Sequence, residues 1–207
     1  MILGGRPRIV LSLASATLVV SMAGGPDRVS ALPDSAGTRS CPGANASPRT
    51  QTLDRAGQAA LCLLNAERAA RKLAALAPDA RLRAAAERHS RDMAKNDFFD
   101  HVTPGGIGFV ERVSAAGFAS SGASLAENIA WGTGSLGRPA MVVKGWMRSA
   151  PHRATILNPA LRRVGIGIAL DAPEPGLGNG ATYTADFAGA SSRRTARARA
   201  ARSRRSR

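Results

Sequence analysis

Aromatic side chains are scarce in this chain: five Phe, two Trp and one Tyr in 207 residues. A core must therefore be filled by Leu, Val, Ile and Ala. Histidine is scarcer still, with only His89, His101 and His152. Cysteine occurs twice, at Cys41 and Cys62, so a zinc site built from two Cys pairs is excluded. Acidic residues number 14 against 29 Lys and Arg, giving a formal net charge of +15. The apolar run from about Ile9 to Ala23 falls short of the roughly 20 residues that a spanning helix needs.

That run follows Arg6 and Arg8 and suits the apolar region of a secretory signal peptide. Pro7 splits the two Arg, so a twin-Arg signal is excluded. Small residues offer two cleavage sites, Ser21-Met22-Ala23 and Val29-Ser30-Ala31. The second is preferred, which assigns residues 1–31 to the signal; an uncleaved anchor is the alternative. Secretion or retention at the cell envelope is therefore expected. In that oxidising setting an even Cys count reads as one Cys41–Cys62 disulfide. Two separate thiols, one buried in a helix, are the alternative.

Residues 193–207 hold eight Arg and no acid, more than half of the net charge. Residues 191–207 are accordingly predicted to be a disordered tail. Attachment to anionic envelope material is the expected role. Nucleic acid is not expected as the partner, because no aromatic residue is interleaved with the Arg.

Residues 32–52, rich in Pro, Ser, Gly and Asn, read as a linker pinned by Cys41, and residues 53–190 as one folded, monomeric domain. A first helix is predicted over Leu53–Leu73. A second follows "LAPDARLRAAAERHSRDMAKND", with Pro78 at its start and Asp79 at its positive end. "FFDHVTPGGIGF" is a loop. A short helix covers about Gly108 to Ala116, and a fourth runs through "RPAMVVKGWMRS". "SLAENIAWG" reads as an extended or turn segment. "RRVGIGIAL" and "ATYTADFAG" are strands joined by the Pro- and Gly-rich "DAPEPGLGNG". Helices early and strands late give an α+β class, helices packed on an antiparallel sheet. His89 shares an apolar stripe with Leu82 and Met93, so it is expected in the core. Trp131 and Trp146 are read as packing residues, and Asn65 as a structural hydrogen-bonder.

His101, Glu127, Ser149 and His152 all lie at the ends of predicted elements, where loops on a rigid frame can build a site. "LLNAER", "AAERHSRDM", "FFDHVTPGG", "AENIAWG", "GWMRSAPHRATILNP" and "VGIGIAL" occur in that order. This succession resembles the CAP superfamily of cysteine-rich secretory proteins, antigen 5 and pathogenesis-related proteins (the SCP domain), in its short secreted bacterial branch. The likeness covers about Leu61 to Phe187. It implies an α-β-α sandwich and a central cleft with two His and two acids. By motif, His101 and His152 take the His places and Glu127 the first acidic place. The second acidic place, three residues after Trp146, holds Ser149 instead.

Two imidazoles can bind zinc or another divalent cation, each through one ring nitrogen. His101 and His152 are the candidate metal ligands, with Glu127 orienting a His or holding a water. The first functional expectation is a binding module for a lipid, a peptide or a cell-wall component. The alternative is a metal-assisted hydrolase, with water held by His101 and His152 and Glu127 as base. Replacement of one carboxylate by Ser149 favours binding.

Overall fold

The computed structural model describes residues 9–10, 40–119 and 122–189. The expected tail lies outside them, as does the expected signal segment apart from Ile9 and Val10. In chain order the elements are β1 (Ile9–Val10), α1 (Leu53–Ala69), β2 (Ala77–Pro78), α2 (Ala80–Lys95), α3 (Phe109–Ala115), β3 (Leu125–Thr133), α4 (Pro139–Arg148), α5 (Ala150–Leu157), β4 (Leu161–Leu170) and β5 (Gly180–Gly189). The sheet order is β1-β3-β5-β4-β2. β5 pairs antiparallel with β3 and β4, whereas β2 runs parallel to β4. The expected antiparallel sheet is thus mixed at one edge.

Strand alternation sorts the side chains into two layers. Val164, Ile166 and Ile168 of β4 and Tyr183, Ala185 and Phe187 of β5 pack with Leu64, Val142, Trp146 and Ile156 from α1, α4 and α5. On the other face Ala188 joins Leu82 and Ala85 of α2 and Val113 of α3. The α-β-α sandwich follows. α2 lies directly on the β4 backbone: a Cβ on Gly165 would sit 1.9 Å from Arg83 N, and one on Gly167 2.1 Å from Glu87 N. The alternating glycines of "VGIGIAL" are what allow that contact.

Helix ends follow local chemistry. α1 stops at Ala69, short of the expected Leu73, because Lys72 takes φ 57° and Leu73 N–H bonds back to Arg68 O at 3.0 Å. Asp79 caps α2 through Arg81 N–H at 3.0 Å and Leu82 N–H at 3.3 Å. Pro78 belongs to β2 rather than to the helix. Arg68 is buried and donates to the carbonyls of Ala74, Ile156, Asn158 and Leu161, tying α1 to the end of α5 and the start of β4. Asn65 exchanges two hydrogen bonds with the Leu76 backbone, at 2.7 and 3.1 Å.

The Cys41–Cys62 disulfide is present, with Cα atoms 5.7 Å apart. Cys41 is not the sole anchor of residues 40–52, contrary to expectation for a linker. Ala44 is buried and its carbonyl accepts from Ala140 N–H at 2.9 Å, while Gln51 Nε2 donates to the Gly43 and Ala46 carbonyls.

Candidate functional site

The "GWMRSAPHRATIL" stretch is not one continuous helix. α4 ends at Arg148, Ser149 adopts extended backbone (φ −90°, ψ 121°), and α5 starts at Ala150 with Pro151 in its first turn. Proline's fixed φ and missing N–H suit that position. His152 therefore opens a fifth helix. Its main chain is pinned to the sheet, because Asn128 Nδ2 donates to His152 O at 3.2 Å. Trp146 is buried and its indole N–H donates to Ile129 O at 3.1 Å, which fixes α4 against the same strand.

Each site His has an oxygen partner on Nδ1. His152 Nδ1 lies 2.8 Å from Ser149 Oγ. His101 Nδ1 lies 2.8 Å from Glu127 Oε1. Glu127 and Asn128 are neighbours in β3, and successive strand residues face opposite sides of a sheet. The site therefore straddles β3, with the His101 loop on one side and α5 on the other. His101 is close enough for its charge to disfavour protonation of His152. Burial first, and His101 second, push His152 down to about 4.

The Glu127 side chain is 1 % exposed. Burial alone would raise its pKa, but the His101 hydrogen bond and the Arg112 charge outweigh that and hold it below the ordinary carboxylate value. Arg112 Nη2 donates to Glu127 Oε2 at 2.6 Å, and Nη1 donates to the carbonyls of His101 and Ile107. One guanidinium thus holds both the carboxylate and the loop carrying His101. Opposite Glu127 in the β3–β5 register stands Asp186, also buried. Burial, and then the Glu127 charge, raise Asp186 well above its usual value, which favours its protonated form. In that form it can donate to Glu127.

The four residues singled out by motif thus form two hydrogen-bonded pairs around one strand. His89 hydrogen-bonds none of them: it is buried, its Nε2 lies 3.0 Å from Asp100 O, and it is near enough for the charges of Glu127 and Arg112 to act on it. Trp131 and Trp146 are core residues. Arg112 and Asp186 escaped the sequence reading. An acid inside the otherwise uncharged strand "ATYTADFAG" is the signal that could have found Asp186. Nothing in the exposed-looking "FVERV" marks Arg112.

Neither Nε2 of His101 nor Nε2 of His152 has a hydrogen-bond partner among the described residues. Those two atoms are the available metal donors. No group of three or more His, Cys, Asp and Glu that could hold an ion occurs among the described residues. The donor set therefore does not fit a closed structural zinc site.

A family model described as the cysteine-rich secretory protein family matches residues 61–185. YkwD of Bacillus subtilis, itself an uncharacterized protein, is 37% identical over 105 residues, covering 51% of this chain and 39% of that one. An extracellular protein containing an SCP domain from Bacillus anthracis superposes with a TM-score of 0.54 at 24% identity, over 68% of this chain and 44% of that one. An outer surface protein of Borrelia burgdorferi gives a TM-score of 0.51 at 17% identity, over 61% of this chain and 86% of that one. At those identities the two structures support the fold alone.

Proposed function

Since the chain belongs to the cysteine-rich secretory protein family, we propose that it is a secreted or envelope-associated binding module. Its cleft, formed by His101, Glu127, Ser149 and His152, takes a lipid, a peptide or a cell-wall component. One observation carries this reading over hydrolysis: both oxygens of Glu127 are already engaged, one by His101 and one by Arg112. A general base must reach the water it activates, and the Glu127 side chain, 1 % exposed, leaves water little access. Ser149, in the second acidic place, supplies a hydroxyl and no charge. The structural neighbours are an extracellular protein and an outer surface protein, which agrees with export. No helix among the described residues is long and apolar enough to cross a membrane.

The two open Nε2 atoms favour a second reading, a metal-assisted hydrolase. There His101 and His152 would hold zinc or a similar divalent ion. Such an ion would supply Lewis acidity and lower the pKa of a bound water.

The two readings separate in one experiment. Mature protein is co-sedimented with purified cell-wall sacculi and with lipid vesicles, and the same samples are checked for released wall fragments or cleaved lipid. Binding without release, lost in the His101→Ala/His152→Ala variant, is the expected result. Release that requires zinc and disappears in the same variant would overturn the binding reading in favour of hydrolysis.

A further inference from the structure

A groove of about 920 Å³ lies between α1 and α2, and none of the four cleft residues lines it. Its floor is the outer edge of β4. Which backbone groups face that edge follows from two hydrogen bonds. Val164 O accepts from Asp79 N–H at 2.9 Å, so residue 164 points away from β5. Asp171 N–H donates to Gly180 O at 2.8 Å, so residue 171 points towards β5. In an antiparallel pair the N–H and C=O of one residue point the same way, and successive residues alternate. Ile166, Ile168 and Leu170 therefore direct their backbone groups into the groove. β2 covers this edge only as far as Val164.

The two walls differ. The α1 wall presents Leu53, Leu61 and, between them, Gly57. A glycine inside a helix costs roughly 1 kcal/mol relative to alanine, so this one calls for a reason. A Cβ there would meet only Ile166 O, at 3.9 Å, so sheet packing does not require the glycine. Its missing side chain leaves the groove open at this point. The α2 wall presents Arg83, Arg91 and Lys95. Arg83 is shared between Glu87 and Asp54, reaching the latter across the groove. Arg91 and Lys95 form no ion pair among the described residues.

We propose that this groove takes an extended peptide that pairs with β4 beside Ile166, Ile168 and Leu170, with apolar side chains facing α1 and acidic side chains facing α2. The flanking helices keep a second folded sheet away from the edge, whereas a single strand fits between them. A segment of about five residues spans the free edge, about 17 Å at roughly 3.3 Å per residue. Main-chain hydrogen bonds hold the peptide, and the two unlike walls set its alternating pattern. An acidic side chain of the peptide takes over Arg83 from Asp54. That pair is exposed at both ends and is worth about 1 kcal/mol or less.

The test is fluorescence anisotropy with the labelled, end-capped peptide Val-Glu-Val-Glu-Val and the whole mature protein. Saturable binding is expected, weakened about tenfold or more in Gly57→Leu, which fills the groove. The Arg91→Glu/Lys95→Glu variant, altered only at exposed positions, should lose a similar factor. His101→Ala should bind as wild type does, which separates this site from the cleft. No saturable binding at millimolar peptide would overturn the proposal. So would equal binding by Gly57→Leu, by the Lys analogue of the peptide, or by both of the two peptides N-methylated at one or the other alternate set of residues.

Discussion

Arg112 is the residue on which the candidate site depends most. It neutralises a Glu127 carboxylate with almost no solvent contact and anchors the carbonyls of His101 and Ile107. Replacing it by Leu leaves a buried charge without its partner, a loss of about 3–5 kcal/mol, readable by urea unfolding. His101→Ala removes a more exposed partner and should cost less. Asp186 behaves in the opposite sense. Its folded pKa is raised, so the folded state holds its proton more tightly than the unfolded chain, which releases it as pH rises above the ordinary 3.8. That linkage lowers stability at neutral pH. Asp186→Asn removes the cost and supplies an amide that can donate to Glu127, so it should melt higher than wild type at pH 7 and lose that advantage in acid. His152 adds a second pH term. Its folded pKa of about 4 lies below the unfolded 6.5, so the unfolded chain takes up the proton first as pH falls. Stability should therefore decline between about pH 6.5 and pH 4, and His152→Gln should flatten this window in thermal melts. Motif order made His101, Glu127, Ser149 and His152 legible in the sequence. The contacts of Arg112 and Asp186 were not, because each depends on pairing between segments distant in the chain.

Among the elements, β4 and α2 set the frame. Gly165 and Gly167 put the helix backbone against the strand, and a Cβ on either would meet that backbone at about 2 Å. Gly167→Val should cost about 3 kcal/mol or more, seen as a lower urea midpoint, because backbone rather than a flexible side-chain tip must move. The alternating pattern of "VGIGIAL" shows the strand plainly in sequence, but not that its glycine face receives a helix. The break between α4 and α5 was half legible. Pro151 marks it, yet Ser149 serves both as the end of one helix and as the partner of the His152 ring. "SLAENIAWG" stayed open between strand and turn because Glu127 and Asn128 interrupt its alternation. Register against β5 settles it as β3, and those two polar residues are the ones that bind His101 and the His152 backbone.

For the whole molecule, the disulfide and the charge matter most. Cys41–Cys62 closes a loop of 21 residues, and in the chain-entropy model its loss costs roughly 3 kcal/mol. Because the Ala44–Ala140 hydrogen bond and the Arg49–Asp171 ion pair also hold residues 40–52, a reduced protein should remain folded and simply melt lower. The Arg-rich end, with eight Arg from residue 193 onward, lies outside the described residues. Removing residues 193–207 should leave the melting temperature nearly unchanged and abolish binding to polyanions, and full-length binding should fall steeply with salt. Salt-insensitive binding would contradict the electrostatic role.

The shared cleft is tested most directly by zinc calorimetry near neutral pH on wild type, the His101→Ala/His152→Ala variant and Ser149→Glu. Zinc is expected to bind wild type reversibly and weaken on acidification, as protons compete for the imidazoles. Binding should vanish in the double variant and strengthen in Ser149→Glu, where a carboxylate stands in the second acidic place. Equal affinity in wild type and the double variant would contradict a cleft shared by His101 and His152.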